Sequence, residues 1–218
     1  MIISHKYKFI FLRTEKTAGT SLTAALEKMI GPGDMVADMS RPAWAKYSPI
    51  HHGALKRNVQ QLFGLHAHAT AAQAKSIIGA EKFNSYFKFA VERNPWDRQV
   101  SLYFQRKNKV GKAGDTDFDR DMKSPLFRST EYVRLNNWSI YAINNEIVAD
   151  EIIRYENLAG GLEKVFASVG LPGAPDMPKL RSGFRDDDKN YRQHYSDETR
   201  DMIARWYRKE IDASGFEF

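Results

Sequence analysis

The chain has 218 residues, of which 42% are hydrophobic and 12% aromatic, and a formal net charge of +6 at neutral pH. That length suits one domain with a full core, and that apolar content excludes a disordered polyelectrolyte. Cysteine is absent, which excludes disulfides, thiolate nucleophiles and cysteine-based metal sites and agrees with a reducing, cytoplasmic setting.

No apolar run is long enough to span a bilayer. Met1 runs so directly into the first strand that a signal peptide is not expected. The basic excess favours anionic ligands such as nucleotides or acidic glycans.

Phe9, Ile10, Phe11 and Leu12 predict a short apolar strand. Leu22, Ala25, Leu26, Met29 and Ile30 recur at helical spacing and end at Gly31-Pro32-Gly33, which predicts a helix. Between strand and helix lie Lys16, Gly19 and the hydroxyl residues Thr17, Thr20 and Ser21. A helix N-terminus offers backbone N–H groups and the positive end of the helix dipole to an anion. Gly19 would let the backbone approach that anion, and Lys16 would add a mobile cation. The lysine precedes the glycine, which is the wrong order for a Walker loop. An ordinary strand-to-helix turn also fits this pattern.

Residues 31–60 read as irregular, punctuated by Pro32, Pro42 and Pro49. An extended run from Leu62 to Thr70 leads into a helix from Ala71 to Ile78, and Tyr86 to Val91 form a strand. Asn94 and Pro95 suit a helix start as N-cap and first helical residue, and Trp96, Val100, Tyr103 and Phe104 supply an apolar face. Residues 108–130 are polar and read as a surface loop, either a substrate lid or an insertion. A helix carrying Tyr132, Leu135, Ile140 and Ile143 is expected next. Ile152 to Tyr155 form a strand, followed by a helix with Leu158, Leu162, Val165, Phe166 and Val169. Residues 176–195 are basic and irregular, and a last helix starts near Ser196-Asp197 and carries Ile203, Trp206, Tyr207 and Ile211. Strands alternating with helices imply a parallel sheet covered on both faces, with ligands at the carboxyl ends of its strands.

Two segments carry a resemblance. One is Lys16-Thr17-Ala18-Gly19-Thr20-Ser21; the other is Arg93-Asn94-Pro95-Trp96-Asp97-Arg98, with Ser101 three residues on. Together they resemble the sulfotransferases that use 3′-phosphoadenosine 5′-phosphosulfate (PAPS), in particular the family-2 carbohydrate sulfotransferases and their bacterial relatives. His68 to Ala71, Arg154 to Leu158, Tyr195 to Thr199 and the terminal Gly215 to Phe218 are further matches, so the resemblance spans nearly the whole chain.

The resemblance implies a single α/β domain over residues 1–218, a P-loop-NTPase-like three-layer fold with a central, mainly parallel sheet flanked by helices. It implies an enzyme that moves a sulfuryl group from PAPS to an acceptor hydroxyl, expected on a carbohydrate or glycan precursor. The product would be 3′-phosphoadenosine 5′-phosphate (PAP), and no metal is expected. Lys16 and the residues Thr17, Ala18, Gly19, Thr20 and Ser21 are assigned to the 5′-phosphosulfate, Arg93 with Ser101 to the 3′-phosphate, and Arg13 to the cofactor site as a whole. An arginine fork suits a doubly charged phosphate. For Arg93 the alternative is an ion pair with Glu92 or Asp97. Tyr155 is either an adenine contact or a plain core tyrosine.

For catalysis, Lys16 would stabilise the leaving oxygen and His68 would act as general base. His66, on the same side of an extended segment, would share that role, or both rings satisfy buried backbone groups. The family commonly has proline before the loop lysine, where this chain has Glu15. That carboxylate would repel the cofactor if it pointed inward, and otherwise is either a second candidate base facing the acceptor or a solvated side chain. The basic residues Lys179, Arg181, Arg185, Lys189 and Arg192 either grip an anion or are offset by Asp186, Asp187 and Asp188. A non-catalytic module binding PAP or an acidic glycan, and a nucleotide-dependent kinase, are the rival readings. Nucleic acid is not an expected partner, because the aromatics fall on amphipathic faces.

Overall fold

The structure is a computed structural model that describes residues 1–37, 65–109, 117–130, 134–173 and 190–218. Pro42, Pro49, the glycines at 111 and 114, Tyr132 and most of the basic segment after 176 lie outside the described residues. The chain divides into two compact units: Met1–Glu92 with Asn137–Leu180, and Arg93–Asn136 with Arg181–Phe218.

The first unit is built on a five-stranded sheet. Its strands are β1 (Ile2–Ser4), β2 (Phe9–Leu12), β3 (Met35–Val36), β4 (Phe87–Glu92) and β7 (Glu151–Arg154). Their order across the sheet is β3-β1-β2-β4-β7. β2 pairs with β4, and β4 with β7, in parallel; β1 runs antiparallel to both of its neighbours. Both faces are buried, which is why these strands read as continuous apolar runs rather than alternating ones. Phe9 and Phe11 join Phe89 and Val91 in one core, and Ile10 and Leu12 join Ala90 in the other.

Helix α1 (Gly19–Leu26) and helix α8 (Leu158–Val169) cover the phenylalanine face with Leu22, Leu26, Leu162, Val165 and Phe166. Helices α2 (Ala71–Ile78), α3 (Ala80–Ser85) and α7 (Trp138–Tyr141) cover the other face. At one point the helix packing is so close that a Cβ on Gly161 would lie 2.3 Å from Ile153 of β7. The layers are helix, sheet, helix, and the sheet is mixed but mainly parallel.

The helix expected from Tyr132 to Ile143 is shorter than its apolar spacing suggests. Among the described residues of that stretch only Trp138–Tyr141 is helical, and Ile143 belongs to a hairpin of β5 (Ala142–Ile143) and β6 (Glu146–Ile147). Asn144 and Asn145 turn that hairpin with φ of 51° and 72°, values asparagine tolerates better than most residues.

The second unit is helical. Its helices are α4 (Pro95–Lys109), α5 (Phe118–Lys123), α6 (Pro125–Thr130), α9 (Asp197–Trp206) and α10 (Arg208–Ser214). α5 and α6 lie in the segment read from sequence as a loop. Trp96, Val100, Tyr103 and Phe104 of α4 pack with Phe118, Met122, Ile203, Tyr207 and Phe216 in its core. Asn94 is the expected N-cap, its side chain accepting from the Trp96 N–H at 3.1 Å. The last helix breaks at Tyr207, whose hydroxyl accepts from the Leu135 N–H and donates to Gln99 Oε1.

Candidate active site

β2 ends at Leu12, and the loop from Arg13 to Ala18 leads into α1. Two non-glycine residues of this loop are left-handed, Lys16 at φ 65° and Ala18 at φ 59°. Each costs about 1–2 kcal/mol relative to ordinary backbone, so the surroundings must hold them. The Thr14 hydroxyl donates to the Val91 carbonyl of β4, and the Thr17 hydroxyl lies 2.8 Å from that of Thr14. Glu15 is held by its backbone: its N–H donates to Asn137 Oδ1 at 2.9 Å, and its carbonyl accepts from Asn137 Nδ2 at 3.2 Å.

Arg13 is only 2% exposed, and its guanidinium donates to the Thr20 hydroxyl at 2.9 Å. To reach it the side chain crosses Gly19, where a Cβ would lie 2.8 Å from Arg13 Cγ and Nε. The glycine therefore makes room for a neighbouring side chain, a role that its place in the motif did not reveal. Ala18, at the N-cap of α1, provides no side-chain cap. The backbone end of this eight-residue helix and the half-buried Lys16 thus belong to one structured turn at the carboxyl end of β2.

His66 and His68 do not share one side of an extended segment. The Ala69 N–H donates to the His66 carbonyl at 3.0 Å and closes a turn, and the His68 N–H donates to His66 Nδ1 at 3.3 Å. His66 Nδ1 is thereby engaged as an acceptor. The His68 ring is oriented the other way: its Nδ1 lies 3.0 Å from the Arg13 carbonyl. A carbonyl only accepts, so Nδ1 carries the proton and Nε2 carries the lone pair. Burial pushes the His68 pKa down to about 3, helped by the Arg13 charge and opposed by the hydrogen bond to the Arg13 carbonyl. His66 is also pushed below the usual histidine range, first by burial and then by the N-terminal ammonium.

Tyr155 opens a 3-10 turn (Tyr155–Asn157) directly after β7 and packs, half-buried, on the phenylalanine-side core. In the second unit, Arg93 forms the ion pair with Asp97, at 2.6 and 2.7 Å to the same carboxylate oxygen. Glu92 is fully buried at the end of β4 in the first unit, 3.4 Å from Asn137 Nδ2. Ser101 lies half-buried on α4.

The sulfotransferase family model matches residues 1–217. The chain belongs to the sulfotransferase family. A sulfotransferase-family protein is an enzyme that moves sulfuryl groups, and the donor that the family resemblance implies is PAPS. An uncharacterized protein of Archaeoglobus fulgidus is 32% identical over 113 residues, covering 47% of this chain and 83% of that protein. The crystal structure of mouse sulfotransferase SULT7A1 complexed with PAP covers 94% of this chain and 86% of its own at 13% identity, with a TM-score of 0.47.

The sulfotransferase loop residues suit an anionic donor. A lysine stands in a left-handed turn, with an arginine and three hydroxyl residues around a helix start that lacks a side-chain cap. Among the described residues no group of three or more His, Asp or Glu side chains is arranged to hold a metal ion. Nor is any described helix long and apolar enough to cross a membrane. The residues holding the Lys16 loop that sequence reasoning missed are Thr14 and Asn137. Each acts through a contact to residues remote in the chain, and no local spacing signals it.

Proposed function

We propose that this sulfotransferase, acting as one domain over residues 1–218, transfers a sulfuryl group from PAPS to a hydroxyl of a carbohydrate or glycan precursor. The observation that carries the reading is that the loop bearing the left-handed Lys16 also orients His68, through the Arg13 carbonyl, so that its Nε2 keeps its lone pair. PAPS supplies the activated sulfuryl group on its 5′-phosphate. Lys16, with the N–H groups from Thr17 to Ser21, holds that end, and the lysine ammonium offsets the charge that builds on the phosphate oxygen as its bond to sulfur breaks. His68 Nε2 accepts the acceptor's hydroxyl proton as the new oxygen–sulfur bond forms. Arg13 stiffens the turn through Thr20 and adds positive charge beneath it. The assignment of Arg93 and Ser101 to the 3′-phosphate, and of Tyr155 to the adenine, rests on the sequence resemblance. Asp97 gives the Arg93 fork a fixed orientation. The lack of cysteine supports a cytoplasmic setting.

Two measurements test this. Radiolabelled PAPS incubated with a panel of glycans and hydroxylated metabolites should give a labelled product with the wild type and at least 100-fold less with K16A. Calorimetric titration should find PAP bound more tightly than AMP, with R93A losing that preference while leaving AMP affinity within two-fold. PAP binding without transfer to any acceptor would favour the non-catalytic module. PAP affinity unaltered by both substitutions would overturn the reading.

A further inference from the structure

Asn137 directly precedes α7, the position at which asparagine ordinarily caps a helix by accepting one of its first N–H groups. Here it makes no such cap. Its side chain is fully buried and turned to residues 122 positions away in the chain, with both amide atoms spent on the backbone of Glu15. The same Nδ2 also lies 3.4 Å from Glu92 Oε1, at the end of β4. A side-chain amide that accepts from one residue's N–H and donates to the same residue's carbonyl imitates the neighbouring strand of an antiparallel pair. It ties down Glu15 at the turn, directly before the left-handed Lys16.

We infer that Asn137 is the positioning residue of the Lys16 loop: its amide clasps the Glu15 peptide, and that clasp keeps Lys16 in the left-handed turn that meets the donor. The inference rests on the reading of Lys16 as a phosphosulfate ligand. The clasp needs a residue with an N–H at position 15. A proline there, which the resembling family commonly carries, would offer Asn137 no donor and would fix φ by its ring instead. In this chain a remote side chain therefore holds the loop where local covalent geometry is not used.

The test is the N137A variant of the full chain, probed with PAP. Removal of the clasp should raise the PAP dissociation constant about ten-fold, a loss of about 1.4 kcal/mol. Hydrogen exchange supplies the readout that a merely structural role would not move: the Glu15 and Lys16 amides should exchange at least ten-fold faster while those of β2 keep their protection. Should N137A fail to fold, N137S carries the same test with a smaller cavity. A folded variant with PAP affinity within two-fold of wild type and unaltered exchange at Glu15 overturns the inference. K16A separates the two readings. Loss of PAP affinity in K16A with none in N137A overturns only the role of Asn137, whereas unaltered affinity in K16A overturns both.

Discussion

The Nδ1 of His68 lies 3.0 Å from the carbonyl oxygen of Arg13, the residue whose side chain crosses Gly19 to reach Thr20. One residue thus links the candidate base to the turn that carries Lys16. The consequences are open to measurement in several ways.

The His68 pKa, pushed down to about 3 by burial from an ordinary 6.5, gives an unusual pH profile. The ring stays neutral throughout the physiological range, so kcat/KM should show no acid-side inflection near 6.5. The same depression affects stability. Between about 3 and 6.5 the unfolded chain binds the proton and the folded chain does not. The contribution is therefore complete above 6.5 and is lost as the pH falls toward 3. Urea unfolding at pH 7 and pH 4.5 should show a steeper acid loss for wild type than for H68N. The substitution should also lower turnover by about 10²–10⁴-fold.

Gly19→Ala brings a gain and a larger loss. Alanine favours the helix by about 1 kcal/mol. Its Cβ would sit 2.8 Å from Arg13 Cγ and Nε, so the guanidinium must leave its path to Thr20. Overpacking of this kind costs about 1–3 kcal/mol. The net result expected in chemical denaturation is a destabilised protein, and R13A/G19A should recover part of the loss.

Lys16→Gly separates activity from folding. Glycine removes the steric cost of φ 65° but loosens the unfolded chain by a similar amount. Stability should stay within about 1 kcal/mol of wild type, while turnover falls by about 10²-fold or more. A melting curve and a PAPS turnover assay on the same preparation check both.

Asp119 is the corresponding stability site of the second unit. Burial pushes its pKa up, but hydrogen bonds from Lys123, Ser196 and Thr199 outweigh that and hold it at about 2. It fixes the residues that cap α9. Its stabilisation is present above an ordinary carboxylate pKa of 3.8 and disappears as the pH falls through 2. D119A should cost about 2 kcal/mol at pH 7 by denaturant unfolding. It should leave PAP affinity unaltered.

The main layers were legible because their signals are local. Phe9 to Leu12 and Tyr86 to Val91 form apolar runs, and Leu158 to Val169 repeat at helical spacing. β1 and β3 were not, since Ile2–Ser4 and Met35–Val36 are too short to display any period. Ile143 read as part of a helix because it follows Ile140 at helical spacing, yet the two asparagines between Ile143 and Glu146 reverse the chain. In the site, Lys16 stood out by its place between strand and helix, and His68 by the match of its run to the family. Asn137 did not, because an asparagine before a tryptophan looks like an ordinary cap and its partner lies far off in the sequence. The tautomer of His68 depends on a backbone carbonyl contributed by another segment.

Each compact unit is assembled from two stretches of chain with residues of the other between them. In the sheet, Phe89 faces Glu151 and Glu92 faces Arg154, so β4 waits for its partner until Arg93–Asn136 has left the ribosome. Throughout that interval the nascent protein exposes an apolar strand edge, the kind of surface on which chaperones and aggregation compete. Cutting the gene after Glu92 or after Asn136 would leave that edge permanently open, so the amino-terminal fragment is not expected to be recovered as a stable protein.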